Sequence, residues 1–155
     1  MSIGELLNAR TPRRLSAAMG LHVGGRTGAA RDRLVILTDV PGDRAAAATV
    51  VHVPAWDDVF GYLPLRDVVD RVAEPAARQI ALQYRTADHA EPVVHVEALA
   101  ALFADDLVDA GELDRPVVIV GWSTSGLVAY ELARVLAGRA ATVAAVVLVD
   151  TFFPG

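Results

Sequence analysis

Residues 116–138 read Pro-Val-Val-Ile-Val-Gly-Trp-Ser-Thr-Ser-Gly-Leu-Val-Ala-Tyr-Glu-Leu-Ala-Arg-Val-Leu-Ala-Gly. Val117 to Val120 form an unbroken β-branched run, the mark of a strand buried on both faces. Leu127, Tyr130, Leu132, Ala133 and Leu136 then recur at helical spacing, with Glu131 and Arg134 the only charges. Little chain separates strand from helix, so the turn between them is very tight and Ser123 stands at its apex. A turn of this kind strains the backbone of its central residue and needs small residues two positions to either side. Gly121 meets that need, and Ser125, followed by Gly126, nearly does. The pattern is Gly-x-Ser-x-Ser where a nucleophile elbow normally has Gly-x-Ser-x-Gly, and Ser125→Gly is expected to be tolerated. The bland alternative is a structural serine in an ordinary strand-helix turn.

Outward from this unit, Leu34-Val-Ile-Leu and Thr49-Val-Val-His-Val read as strands separated by the turn Val40-Pro-Gly-Asp. Pro54 to Tyr62 reads as a loop running into a helix that reaches Val72, and Ile80 to Tyr84 as a third strand. Val96 to Ala110 is an amphipathic helix with Leu99, Leu102, Phe103 and Leu107 on one face and Asp105, Asp106 and Asp109 off it. After the elbow helix comes a last strand, Val143 to Val149, closed by Asp150. Strands alternate with helices after the opening pair, which predicts an α/β fold with a mostly parallel, doubly wound sheet.

The 155 residues make one folded domain, 34–155, preceded by a Gly-, Arg- and Ala-rich stretch, 1–33. That stretch is read as a flexible leader or as a basic docking segment for an acidic partner. It carries six Arg against Glu5 and Asp32, a charge of +4; the remainder carries eight Arg against seventeen acids, −9, and the two give the net −5. All fourteen basic residues are Arg. An acidic body argues against nucleic acid as a partner. The mean hydropathy of +0.39 is high, yet no run approaches the roughly 18 apolar residues of a spanning helix, so no membrane is expected. Without cysteine there is neither a disulfide framework nor a thiolate metal site; no metal or bound cofactor is expected, and the cytoplasm is the default location.

Three motifs taken in order resemble the thioesterase domains that end nonribosomal peptide and polyketide synthases, members of the α/β-hydrolase superfamily. Gly121-Trp-Ser-Thr-Ser-Gly-Leu-Val-Ala-Tyr-Glu-Leu-Ala-Arg resembles their elbow and following helix. Leu148-Val-Asp-Thr-Phe-Phe-Pro-Gly resembles the segment that carries their triad acid. Val51-His-Val-Pro-Ala-Trp-Asp-Asp-Val-Phe-Gly-Tyr resembles their His-Pro-Ala-Gly-Gly loop, which supplies part of the oxyanion hole. The resemblance covers about residues 34–155. It implies Ser123 as a nucleophile that takes an acyl group from the phosphopantetheine arm of a carrier protein. It also implies Asp150 as the acid that orients a histidine, and the backbone N–H groups of Thr124 and Ala55 as the oxyanion hole. Read on its own, an acid closing an apolar strand is as often a cap or turn residue as a catalytic one.

The sequence departs from the family in two places. Trp56 and Asp57 stand where the oxyanion loop has two glycines, which narrows the approach and puts carboxylates near a developing oxyanion. Five residues follow Asp150, with neither the lid nor the histidine that the family carries beyond its acid. The four histidines present are His22, His52, His89 and His95. His95 reads as a helix-cap or solvated residue, and His52 as a packed residue or a displaced base.

Two functions therefore stand at this stage. One is a thioesterase or acyltransferase in polyketide or nonribosomal peptide biosynthesis whose histidine and lid come from a second polypeptide, an exchanged copy or a longer parent. The other is a non-catalytic module that keeps the thioesterase surface to bind a carrier protein or synthase. The apolar strand Val143–Val149, with no downstream strand beside it, predicts a homodimer or a heterocomplex that completes the sheet.

Overall fold

The computed structural model describes residues 22–23, 33–40, 46–53, 60–73, 76–84, 93 and 95–153. The elements are β1 (His22–Val23), β2 (Leu34–Thr38), β3 (Thr49–Val53), a 3-10 turn (Phe60–Tyr62), α1 (Leu63–Val72), β4 (Arg78–Leu82), α2 (Val96–Ala110), β5 (Val117–Trp122), α3 (Ser125–Gly138) and β6 (Val143–Val149). They form one six-stranded sheet in the order β1-β2-β4-β3-β5-β6. β1 and β2 run antiparallel to their neighbours, and β4, β3, β5 and β6 are mutually parallel. Most of the stretch read as a leader lies outside the described residues; His22 and Val23, which belong to it, pair with Ile36 and Val35.

The chain steps one way from β3 to β4 and then back across β3 to reach β5. Right-handed crossovers in opposite directions must lie on opposite faces of a sheet, so α1 covers one face and α2 with α3 the other. Val51, Val53, Ile80, Leu82, Val117 and Ile119 point toward α2 and α3, where they meet Phe103, Leu107, Leu132 and Leu136. The alternate residues Val50 and Val120 pack beneath Leu65 and Val69 of α1. All five residues of β3 are buried, as a central strand requires. β6 hydrogen-bonds to β5 and forms the edge of the described sheet, with Val147 and Val149 exposed.

Periodicity located α2 and β6 with the bounds later observed, but misjudged which residues of α2 are covered. Asp106, expected off the apolar face, is 1% exposed. Its two carboxylate oxygens accept Arg33 Nε and Nη2, each at 2.6 Å, a bidentate pair joining α2 to the start of β2. Burial raises the Asp106 pKa and the Arg33 bonds oppose that shift. The third strand begins at Arg78 rather than Ile80, because Gln79, polar yet buried, belongs to the sheet. α2 ends where Gly111 turns left-handed at φ 71°, which needs no side chain to clash.

Candidate active site

β3 and β5 are neighbours, and the next helices along the chain, α1 and α3, lie on opposite faces of the sheet. The crevice at their carboxyl ends is therefore the topological switch point, where open α/β sheets gather functional groups. Ser123 sits there, between the last residue of β5 and the first turn of α3, at φ 55°. A left-handed backbone at a residue with a Cβ costs energy, and its persistence here marks a turn fixed by its surroundings. Ser123 and Thr124 are both exposed. Asp150, also exposed and at φ 51°, follows β6, the parallel neighbour of β5. The Ser123 N–H donates to the Val149 carbonyl at 2.8 Å, which ties the elbow to the peptide immediately before Asp150.

Close packing explains the small residues. A Cβ on Gly121 would lie 2.6 Å from Ala129 Cβ and 2.7 Å from Gly126 Cα. A Cβ on Gly126 would lie 1.9 Å from Thr151 Oγ1. The second close approach thus falls at Gly126, and Ser125 has a different role from the steric one read from the motif. It is 2% exposed, and its Oγ donates to the Trp122 carbonyl at 2.6 Å and accepts the Trp122 N–H at 3.0 Å. The same Oγ lies 3.1 Å from the hydroxyl of Tyr62, which itself donates to the Val53 carbonyl. Burial raises the Tyr62 pKa, opposed by its bond with Ser125, so the phenol stays neutral. In the sequence Tyr62 is only the last residue of the loop motif; the trace of its role is a Ser at 125 where Gly would be sterically sufficient.

His52 lies in the middle of the sheet with 0% exposure. Its Nε2 is 2.9 Å from Gln79 Oε1, which makes Nε2 the protonated nitrogen of the neutral ring. Gln79 in turn donates to Asp70 Oδ1 at 2.7 Å and to the Arg66 carbonyl at 3.1 Å, both on α1. Burial lowers the His52 pKa, while the bond with Gln79 and the charge of Asp70 partly oppose that shift. Its ring packs at 5.3 Å from Tyr62, and its Nδ1 is buried without a hydrogen-bond partner among the described residues. This is the environment of a packed neutral histidine facing α1. His95 is exposed at the amino end of α2 and makes no side-chain cap bond. Ala55, with Trp56, Asp57 and Asp58, lies outside the described residues, as does His89.

Among the described residues no helix is long and apolar enough to cross a membrane. Apolar side chains are nonetheless exposed around the elbow: Trp122, Tyr130, Phe152 and Phe153, the last two just beyond Asp150. Tyr130 and Phe153 meet edge to face at 5.5 Å.

The strand order, the left-handed serine between β5 and α3, and the acid after the next parallel strand define an α/β-hydrolase fold of the kind thioesterases have. Residues 67–155, more than half of the chain, match the family model described as a thioesterase domain. The chain belongs to the thioesterase domain family. It is similar to orsellinic acid synthase armB of Armillaria mellea, at 44% identity over 64 residues, 41% of this chain and 3% of that protein. It is likewise similar to the spectinabilin polyketide synthase system protein NorC of Streptomyces orinoci, at 42% over 59 residues, 38% of this chain and 3% of the relative. Among solved structures it resembles YbtT, a type II thioesterase from the yersiniabactin NRPS/PKS biosynthetic pathway. That match has a TM-score of 0.56 at 21% identity, covering 74% of this chain and 45% of the other. The type II thioesterase BorB from the borrelidin biosynthetic cluster gives 0.56 at 22%, covering 72% and 44%. The chain thus spans 3% of the length of these curated relatives and under half of each of these structures.

Proposed function

We propose that this chain provides the nucleophile-bearing part of a thioesterase or acyltransferase acting on acyl or peptidyl chains held as thioesters on a carrier protein, in polyketide or nonribosomal peptide biosynthesis. The observation that carries this reading is Ser123 at φ 55° in a strand-helix turn, bonded through its N–H to the peptide that precedes Asp150. In the reaction the Ser123 Oγ attacks the thioester carbonyl as a histidine takes its proton. The C–S bond breaks, the thiol of the phosphopantetheine arm leaves with that proton, and the acyl group rests on Ser123 until water or another acceptor removes it. The Thr124 N–H, at the positive end of α3, and the Ala55 N–H stabilise the oxyanion. Asp150 orients the histidine. The buried environment of His52, bonded to Gln79, speaks against its serving as that base, and in this reading a histidine and lid are supplied by a second polypeptide, an exchanged copy or a longer parent.

A second reading, a non-catalytic module that binds a carrier protein or synthase, draws support from the exposed Trp122, Tyr130, Phe152 and Phe153 beside the elbow. Where the histidine comes from a second polypeptide or an exchanged copy, the chain assembles as a heterocomplex or a homodimer, and the exposed Val147 and Val149 at the β6 edge support that interface.

A fluorophosphonate separates the two functions. Catalysis requires Ser123 labelling once the histidine-bearing partner is added, abolished in Ser123→Ala and strongly reduced in Asp150→Asn. Absence of labelling with and without the partner would leave the binding module. Mass measured across a dilution series tests assembly, and a folded monomer at micromolar concentration would refute it.

A further inference from the structure

A glycine at position 125 would satisfy the steric demand of the elbow, yet this chain places a buried hydroxyl there and engages it fully. The Ser125 Oγ holds both the N–H and the carbonyl of Trp122, the residue that precedes Ser123. Tyr62, 3% exposed, holds the carbonyl of Val53 at the end of β3 through its hydroxyl, which touches Ser125 at 3.1 Å. Two side-chain oxygens thereby connect three pieces of backbone: the end of β3, the end of β5 and the first residue of α3. These are the pieces that border the crevice at the switch point. Each hydroxyl has one proton, so the contact between them holds a proton only when one of the two carbonyls gives its own up. Breaking one member therefore changes the bonding of the other.

We propose that Ser125 and Tyr62 form a hydroxyl clamp that fixes the elbow against the end of β3, and that both are positioning residues for Ser123. The inference rests on the thioesterase reading above and adds residues that the elbow motif does not specify. Ser123 is strained, and the bond from its N–H to Val149 restrains it only from the β6 side. The clamp supplies the restraint from the β3 side. Neither hydroxyl reaches the reacting atoms, so loss of the clamp lowers the rate without altering the ionisation of the base.

Amide hydrogen exchange on the full chain tests the clamp directly, with Val51 and Ile80 in the buried strands as internal references. In Ser125→Ala the Trp122 and Ser123 amides should exchange about tenfold faster, the equivalent of one net hydrogen bond, while the references hold. Tyr62→Phe, which keeps the ring, should act in the same direction, and the double variant should exceed the larger single effect little if at all. Ser125→Gly, in which the small size is retained, should behave as Ser125→Ala. With the partner present, fluorophosphonate labelling of Ser125→Ala should fall about tenfold in rate with an unchanged pH midpoint. The clamp is refuted if the elbow amides are unaffected, if all amides shift together, if the two single effects multiply, or if the midpoint moves. Should the wild-type chain resist labelling in every condition, the thioesterase reading falls while the exchange data still decide the clamp.

Discussion

The N–H of Ser123 donates to the carbonyl of Val149 at 2.8 Å, so the residue at the apex of the elbow is bonded to the peptide that launches Asp150. Both Ser123 and Asp150 take left-handed backbone conformations, at φ 55° and 51°. The two sites read separately from the sequence are thus one mechanical unit: two strained turns at the ends of adjacent parallel strands, joined by a backbone bond.

That strain is measurable at Ser123. Ser123→Gly should be more stable than Ser123→Ala by about 1 kcal/mol, because glycine adopts φ 55° freely and alanine does not. Asp150→Gly should gain less over Asp150→Ala, since Asp tolerates this region better than most residues. Chemical denaturation of the four variants decides it, and equal stabilities within each pair would show that the turns are not strained.

Gly126 separates two opposing effects. Alanine is favoured over glycine in a helix by about 1 kcal/mol, but here its Cβ would fall 1.9 Å from Thr151 Oγ1. Overlap should win, with Gly126→Ala losing about 1–3 kcal/mol. Adding Thr151→Gly should restore most of the loss. Gly121→Ala has no such remedy, because it meets the Gly126 backbone as well as Ala129, and thermal melting should show it as the more damaging of the two.

The pair between Arg33 and Asp106 should respond asymmetrically. Removing Arg33 leaves a buried carboxylate, at a cost of about 3 kcal/mol or more. Asp106→Ala leaves a guanidinium that still reaches solvent, and should cost less. Lowering the pH should narrow the gap, as the already raised pKa of Asp106 lets the carboxyl take a proton. Urea unfolding of both variants at neutral and acidic pH provides the comparison.

His52 should make stability depend on pH. Its folded pKa lies below the ordinary 6.5, so the unfolded chain binds the proton first. The contribution is fully present above pH 6.5 and is lost as pH falls toward the folded value, at up to about 1.4 kcal/mol per pH unit. His52→Gln should flatten that slope between pH 6.5 and 5.5, whatever it does to stability at pH 7.5. An unchanged slope would mean that His52 takes up its proton as readily in the folded chain as in the unfolded one.

Much of the architecture was written in local pattern. The β-branched run at 117–120, the helical spacing after 125 and the period of 96–110 each record which faces of an element must be covered, and a strand or helix repeats that requirement every two or three to four residues. The candidate pair Ser123 and Asp150 was legible for a related reason: each terminates such a run at the end of a parallel strand, where chemistry collects.

Residues whose roles depend on contacts between distant segments left no such pattern. Asp106 reads as one more charge on a polar face until Arg33, seventy-three positions away, is brought against it. Gln79 looks like a strand boundary, and His52 reads as either a packed residue or a displaced base, until α1 folds over them with Asp70. Ser125 looks like an imperfect glycine, and only the placement of Tyr62 beneath the elbow gives its hydroxyl a purpose. The sequence by itself determined the alternation of strands and helices after residue 34 and the tight turn at Ser123, because those follow from periodicity and from the steric limits of one short turn; β1 lies in the stretch read as a leader, and the role of Asp150 came from the family resemblance. Only the tertiary structure decided which buried polar groups are partnered and which histidine is held neutral, because desolvation and hydrogen bonding depend on neighbours that chain order does not reveal.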